Sequence, residues 1–197
     1  MELNDFRWSA LARYHDQALE AACILTAFAR MKISSHGDYI DALEPRTTIL
    51  IMENMHRFCF YARKSVEIAD GRDPSILERC KHLRFNDTGE FEVDIEETIP
   101  LTKKDFWWVI NRIVHSQEVI VKEKEKITET TQNRIYSVRH ACVFGFKSDR
   151  DEGDEMHYCL IEELISCYTE IVSSLIEKVI PHPDESIRFQ RKASSAP

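Results

Sequence analysis

Apolar residues recur at steps of three and four over much of this chain, and a chain patterned that way must bury helix faces against one another. From Asn4 to about Ile33 the stripe runs Phe6, Leu11, Tyr14, Ala18, Ala21, Ala22, Leu25, Phe28 and Met31, with Ser34-Ser35-His36-Gly37 as its stop. A second stripe, opened or kinked by Pro45, runs Ile49, Leu50, Met52, Met55, Cys59, Tyr61, Ala62, Val66 and Ile68. Asp70-Gly71-Arg72-Asp73-Pro74 closes it with turn chemistry, and a short helix to about Leu83 follows. The last stripe starts at Met156, with Asp154 as N-cap. It carries Leu160, Ile161, Leu164, Ile165, Tyr168, Ile171, Val172, Leu175, Ile176 and Val179 before ending at Pro181.

Between these helices the pattern changes. Phe91, Val93 and Ile95 alternate with acidic residues, which predicts a short strand or extended connector between Phe85 and Pro100. Thr102 as N-cap and Asp105 three residues on predict a helix from Lys103 to about His115, with Phe106, Trp107, Ile110, Ile113 and Val114 toward a core. Glu118–Lys126, Arg134–His140 and Ala141–Ser148 are β-branched and aromatic, and read as a ribbon of two or three antiparallel strands. The charged run Lys122–Lys126 reads as a solvated strand end. The expected fold is therefore α+β, mostly α: a long-helix bundle with a small antiparallel β-ribbon before the C-terminal helix. Residues 1–181 form one domain in this reading, with the ribbon at about 118–148, and 182–197 form a flexible tail.

Composition agrees. Only 5 Gly and 6 Pro occur in 197 residues, too few for the tight turns of a many-stranded barrel. A net charge of −8 argues against a general nucleic-acid coat, although Arg134, Arg139 and Lys147 could still line a local basic cleft. No apolar run reaches membrane-span length, and Met1 is followed by Glu2 and Asn4-Asp5, so neither a span nor a secretory signal is expected. The expected location is cytoplasmic. Cys23, Cys59, Cys80, Cys142, Cys159 and Cys167 contain no CxxC pair and read as reduced. Four of them, Cys23, Cys59, Cys159 and Cys167, sit in apolar helical stretches as small hydrophobes.

Chemistry-bearing motifs are few. Glu53-Asn-Met-His56 has the ExxH spacing of di-iron bundles, but those need a second such pair and two more carboxylates. Asp154-Glu-Met-His157 is only a near match, and Cys80/His82 and His157/Cys159 lack further ligands, so no metal is expected. GxSxG, GxxxxGK[ST] and GxGxxG are all absent, and no cofactor is expected. Two arginine–histidine pairs remain, Arg112/His115 and Arg134/His140, with Arg139 beside the second histidine. Such a pair can cleave RNA without metal: the imidazole moves a proton at the 2′-hydroxyl or leaving oxygen, and the guanidinium steadies the phosphorane. The structural alternatives are that His115 caps helical carbonyls and that His140 is an exposed strand residue.

The long N-terminal helix pair, followed by a Trp-rich helix ending in Asn111-Arg-Ile-Val-His-Ser116, resembles HEPN-like helical bundles, including the abortive-infection type of phage defence. The resemblance covers Leu3 to Ser116 and the final helix. It implies a dimer and, in active members, a metal-independent endoribonuclease with Arg and His several residues apart on a helix. Here only two residues separate Arg112 from His115, and Arg134/His140, with the wider spacing, falls on predicted strands. Many such proteins have lost the motif and serve as binding or dimerising modules. The expected function is thus a non-catalytic HEPN-like module that binds itself or a protein partner. The alternative is the ribonuclease, with RNA as its partner. Trp107 and Trp108 are about 100° apart on their helix, so one of them is expected to reach a partner surface.

Overall fold

A computed structural model describes residues 3–29, 32–35, 39–85, 89–93, 97–131, 134–150 and 155–180; within these, 3–8, 32–35, 39–44, 124–131 and 134–141 are described by their backbone alone. The architecture is α+β and mostly α. Helix α1 (Leu3–Ala29) packs along α2 (Tyr39–Asp70), which carries Pro45 inside its first turns. The apolar stripe of α1 buries Leu11, Ala18, Ala21 and Leu25, and that of α2 buries Ile51, Met55, Phe58, Ala62 and Val66. α2 ends where the N–H groups of Arg72 and Asp73 both turn back onto the Ala69 carbonyl. Asp73 then accepts from the Ser75 N–H, and α3 (Ser75–His82) begins.

The acidic stretch forms a hairpin of two short strands, β2 (Glu90–Glu92) and β3 (Thr98–Pro100), paired Phe91 to Ile99. Helix α4 (Phe106–Val114) begins later than the sequence suggests. Its N-cap is Asp105, whose carboxylate accepts from the Trp108 N–H at 2.8 Å, rather than Thr102. A carboxylate complements the positive end of the helix better than a hydroxyl does.

The ribbon consists of β4 (Ser116–Thr131) and β5 (Arg134–Ser148), each continuous, so no break separates His140 from Ala141. Lys122–Lys126 therefore lies inside a ladder and not at a strand end, with Lys122 held by Glu97 at 2.8 Å. Two strands that the helical stripes concealed share the other edge of β5. β1 (Lys32–Ser35) pairs with Ile135–Val138, and β6 (His157–Leu160) pairs with Val143–Phe146. The first helix consequently stops at Ala29 instead of continuing to Ile33, and the last starts at Ile161 instead of Met156. Backbone pairing to β5 wins over helical propensity in both places. Asp154 and the tail 182–197 lie outside the described residues.

The last stripe is a rod built of α5 (Ile161–Ser166), a π-helical stretch (Cys167–Val172) and α6 (Ser173–Glu177). Its Tyr168 is fully buried, edge-on to Phe58 at 5.4 Å and stacked on Phe106 at 6.3 Å. β5 has a buried residue on each face: Phe144 and Phe146 join this main core, while Val143 packs with Phe91 and Leu101 under the β2–β3 hairpin. Gly145 lies opposite both Ile120 and Tyr158, and a Cβ there would stand 2.5 Å from Ile120 Cγ2 and 2.7 Å from Tyr158 Cε1. The missing side chain is what lets those two approach.

Candidate functional site

Three elements meet where α4 runs into the ribbon. The apolar face of α4 (Phe106, Val109, Ile110, Ile113) is buried, and the helix ends as the His115 N–H bonds to the Arg112 carbonyl at 3.1 Å. The next residue, Ser116, starts β4 and pairs with Ser148 at the end of β5. On α2, His56 and Arg63 are seven residues apart, two turns, and so share the face that looks at this junction.

Their bonds interlock. His56 donates from Nδ1 to the Met52 carbonyl at 3.0 Å, and its Nε2 meets the Ser116 hydroxyl at 2.9 Å. Arg63 donates from Nε to Glu67 at 2.7 Å and from Nη1 to His115 Nε2 at 3.0 Å. A guanidinium can only donate, so Nε2 of His115 accepts and the imidazole proton sits on Nδ1. Partial burial lowers the pKa of His115, and the positive charges of Arg150 and Arg63 lower it further. Asp149 opposes them, and Arg112 adds a smaller downward push. Arg150 reaches this end because its N–H bonds to the Ser148 hydroxyl at 3.2 Å, just past the last ladder pair. The result is a neutral, partly exposed imidazole among three arginines, an arrangement of donors suited to oxyanions.

Beside it, Trp108 stands edge-on to His157 at 5.0 Å and carries the Arg112 guanidinium at 5.2 Å and the Lys104 ammonium at 5.7 Å over its ring. Trp107 and Trp108 are both partly buried, each packed against the main core. Of the two Arg–His pairs, Arg112/His115 thus falls at the junction. Arg134 pairs with Thr131 at the ribbon's far end, Arg139 pairs with Glu125, and His140 falls at the register shift beside it. At about 3.3 Å per residue, His140 lies ~26 Å and Arg134 ~46 Å along β5 from Ser148, so the backbone does not bring them to His115.

The ExxH spacing gathers no ligand set: Glu53 is exposed while His56 is bonded to Met52 and Ser116. Among the described residues no group of three His, Cys, Asp or Glu is placed to hold a metal ion. Cys59, Cys80, Cys142, Cys159 and Cys167 are buried and free; burial pushes the Cys80 and Cys167 thiols up to about 12. Cys23 departs from expectation. It is exposed, on the rim of a groove of about 470 Å³ between α1 and the C-terminal rod, lined by Leu19, Thr26, Ile165 and Thr169.

Sequence reading missed Arg63, whose tie to His115 spans 52 positions and leaves no local spacing. It also missed a buried polar chain around His15. The Tyr168 hydroxyl is hydrogen-bonded to His15 Nδ1 at 2.9 Å, His15 Nε2 faces Ser173 Oγ at 3.3 Å, and Ser173 donates to Glu177 at 3.1 Å. The available signal was a histidine set inside the α1 stripe, between Leu11 and Ala18. Among the described residues no helix is long and apolar enough to cross a membrane. Compared with known proteins, the chain matches no family model, no curated protein and no solved structure.

Proposed function

We propose that this chain is a non-catalytic binding and dimerising module of HEPN-like type, acting in the cytoplasm in phage defence or a stress response. The observation that carries the reading is the dispersal of the catalytic-type groups. His115 Nε2 is engaged by Arg63, Arg112 lies over Trp108, and Arg134 and His140 belong to the other end of the ribbon. A proton-transfer step needs a free imidazole nitrogen within reach of the reacting hydroxyl, and here the nitrogen is shared with a guanidinium. Sedimentation tests the dimerising part. The chain should run above its 23.1 kDa monomer mass and dissociate on dilution, whereas a monomer across the whole concentration series would overturn it.

A second reading, a metal-independent endoribonuclease, is favoured by one observation: His115 is neutral and partly exposed beside Arg63 and Arg150. Once Arg63 released its Nε2, the neutral imidazole could take the 2′-hydroxyl proton while the arginines stabilise the phosphorane. That reading requires RNA cleavage in EDTA, lost in His115→Ala and unchanged in His140→Ala. Intact RNA with the wild-type chain would remove it.

A further inference from the structure

Among the described residues four large apolar side chains stand exposed, and three of them are on α2: Ile49 at 53%, Leu50 at 39% and Phe60 at 40%. Glu53 and Arg57 are also exposed and lie between them. Leu50, Glu53, Arg57 and Phe60 are spaced three, four and three, the a/d rhythm of a helix seam that meets another helix. This face is turned away from the buried one, where Met55, Phe58 and Ala62 join the core.

The order along the seam is apolar, acidic, basic, apolar, and it is self-complementary in one direction only. Laid antiparallel about a two-fold axis level with residue 55, Leu50 meets Phe60 of the second copy and Glu53 meets Arg57 of the second copy. Each contact recurs by symmetry. Two ion pairs then form the centre, with an apolar layer on either side and Ile49 on the flank. A parallel arrangement would set Glu53 against Glu53 and Arg57 against Arg57. We infer that this face of α2 is the homodimer surface, and that a second copy of the chain packs on it antiparallel. The inference rests on the dimerising reading above and goes further by specifying the surface, the register and the orientation.

The remaining charges act in both directions. Arg57 already reaches Asn54 at 3.5 Å, at the limit of a hydrogen bond, so its other donors stay available. Arg46 and Lys64 come together at the two ends of the seam, and Lys64 is held at 2.7 Å by Glu67 on its own helix, which tempers that approach. One helix face is small against the roughly 800 Å² per partner of a standard interface, so the dimer exchanges readily with monomer.

Charge reversal tests the register. Glu53→Arg and Arg57→Glu each place like charges across the axis twice, and each should weaken association about tenfold or more in sedimentation equilibrium. The double variant Glu53→Arg/Arg57→Glu restores opposite charges in the same layers and should recover most of the wild-type association. Thermal melting followed by circular dichroism separates lost pairing from lost folding, because both positions are on the exposed face. A wild-type dimer indifferent to both single changes, or a double variant as weak as the singles, overturns the surface while leaving dimerisation in place. A wild-type monomer overturns both.

Discussion

His15 lies 3% exposed inside the helical core, while His115 sits partly open at the base of the ribbon, and both have pKa values lowered from that of free histidine. The causes differ. For His15 burial dominates, and the carboxylates of Glu177 and Asp16 pull the other way without prevailing. For His115 partial burial is reinforced by Arg150, Arg63 and Arg112. The partners differ as well. His15 is bonded on both nitrogens by neutral hydroxyls, Tyr168 and Ser173, whereas His115 accepts from a cation. A neutral histidine in a protein of this kind therefore has two meanings. One is a core polar group satisfied internally; the other is an imidazole kept uncharged where ligands can reach it.

The largest test of that contrast removes the anchor of the core site. Tyr168→Ala should cost about 3–5 kcal/mol in denaturant unfolding, through a cavity and an orphaned His15 nitrogen. Tyr168→Phe keeps the ring and should cost about 1–3 kcal/mol, the cost of the unsatisfied partners alone. Should Tyr168→Phe match the wild type, the core network is not structural. Next comes the seam between core and ribbon. Gly145→Ala forces a Cβ onto Ile120 and Tyr158 and should destabilise by about 1–3 kcal/mol, and an unchanged melting point would show that this junction yields. Asp105→Ala removes the cap of α4, the helix that delivers His115, and should cost about 1 kcal/mol by the same measurement.

A smaller effect appears in the pH dependence of stability. Both histidines bind a proton less readily folded than unfolded, so stability is unaffected by them above the unfolded value of about 6.5 and falls as pH drops through it. Each group contributes at most about 1.4 kcal/mol per pH unit. His15→Gln should flatten the slope between pH 6.5 and 5, measured by urea unfolding. For Glu67 burial is the largest single influence and raises the pKa, but the bonds and charges of Lys64 and Arg63 together outweigh it and lower the pKa, so this group acts only below about 4.5 and does not obscure that window.

The long helices were legible because each buries one face, and a single buried face leaves a 3.6-residue period in the residues themselves. β1 and β6 were not. Each is four residues long, Ile33 and Leu160 continue the helical stripes beside them, and their pairing partner β5 is remote from β1 in the chain. The site was half legible. Arg112 and His115 could be singled out because they lie three positions apart at the end of one helix, whereas Arg134/His140 has the wider spacing but lies in a strand, where six positions span ~20 Å. Arg63, Arg150 and Tyr168 are joined to their histidines only by the packing of distant segments, and no local spacing announces that. Ile49 and Leu50 read in the sequence as part of the core-facing stripe of α2 but are exposed, and Phe60 falls outside that stripe; only the burial of the opposite face separates Leu50 and Phe60 from the core.

The division between the two histidines is tested most directly by following their ring protons through a pH titration by NMR, in the wild-type chain and in Arg63→Gln/Arg150→Gln. Both should titrate below about 6.5 in the wild type. In the double variant the His115 midpoint should rise while that of His15 stays in place. A His115 midpoint indifferent to the loss of both arginines, or a His15 midpoint that rises with it, would contradict the account.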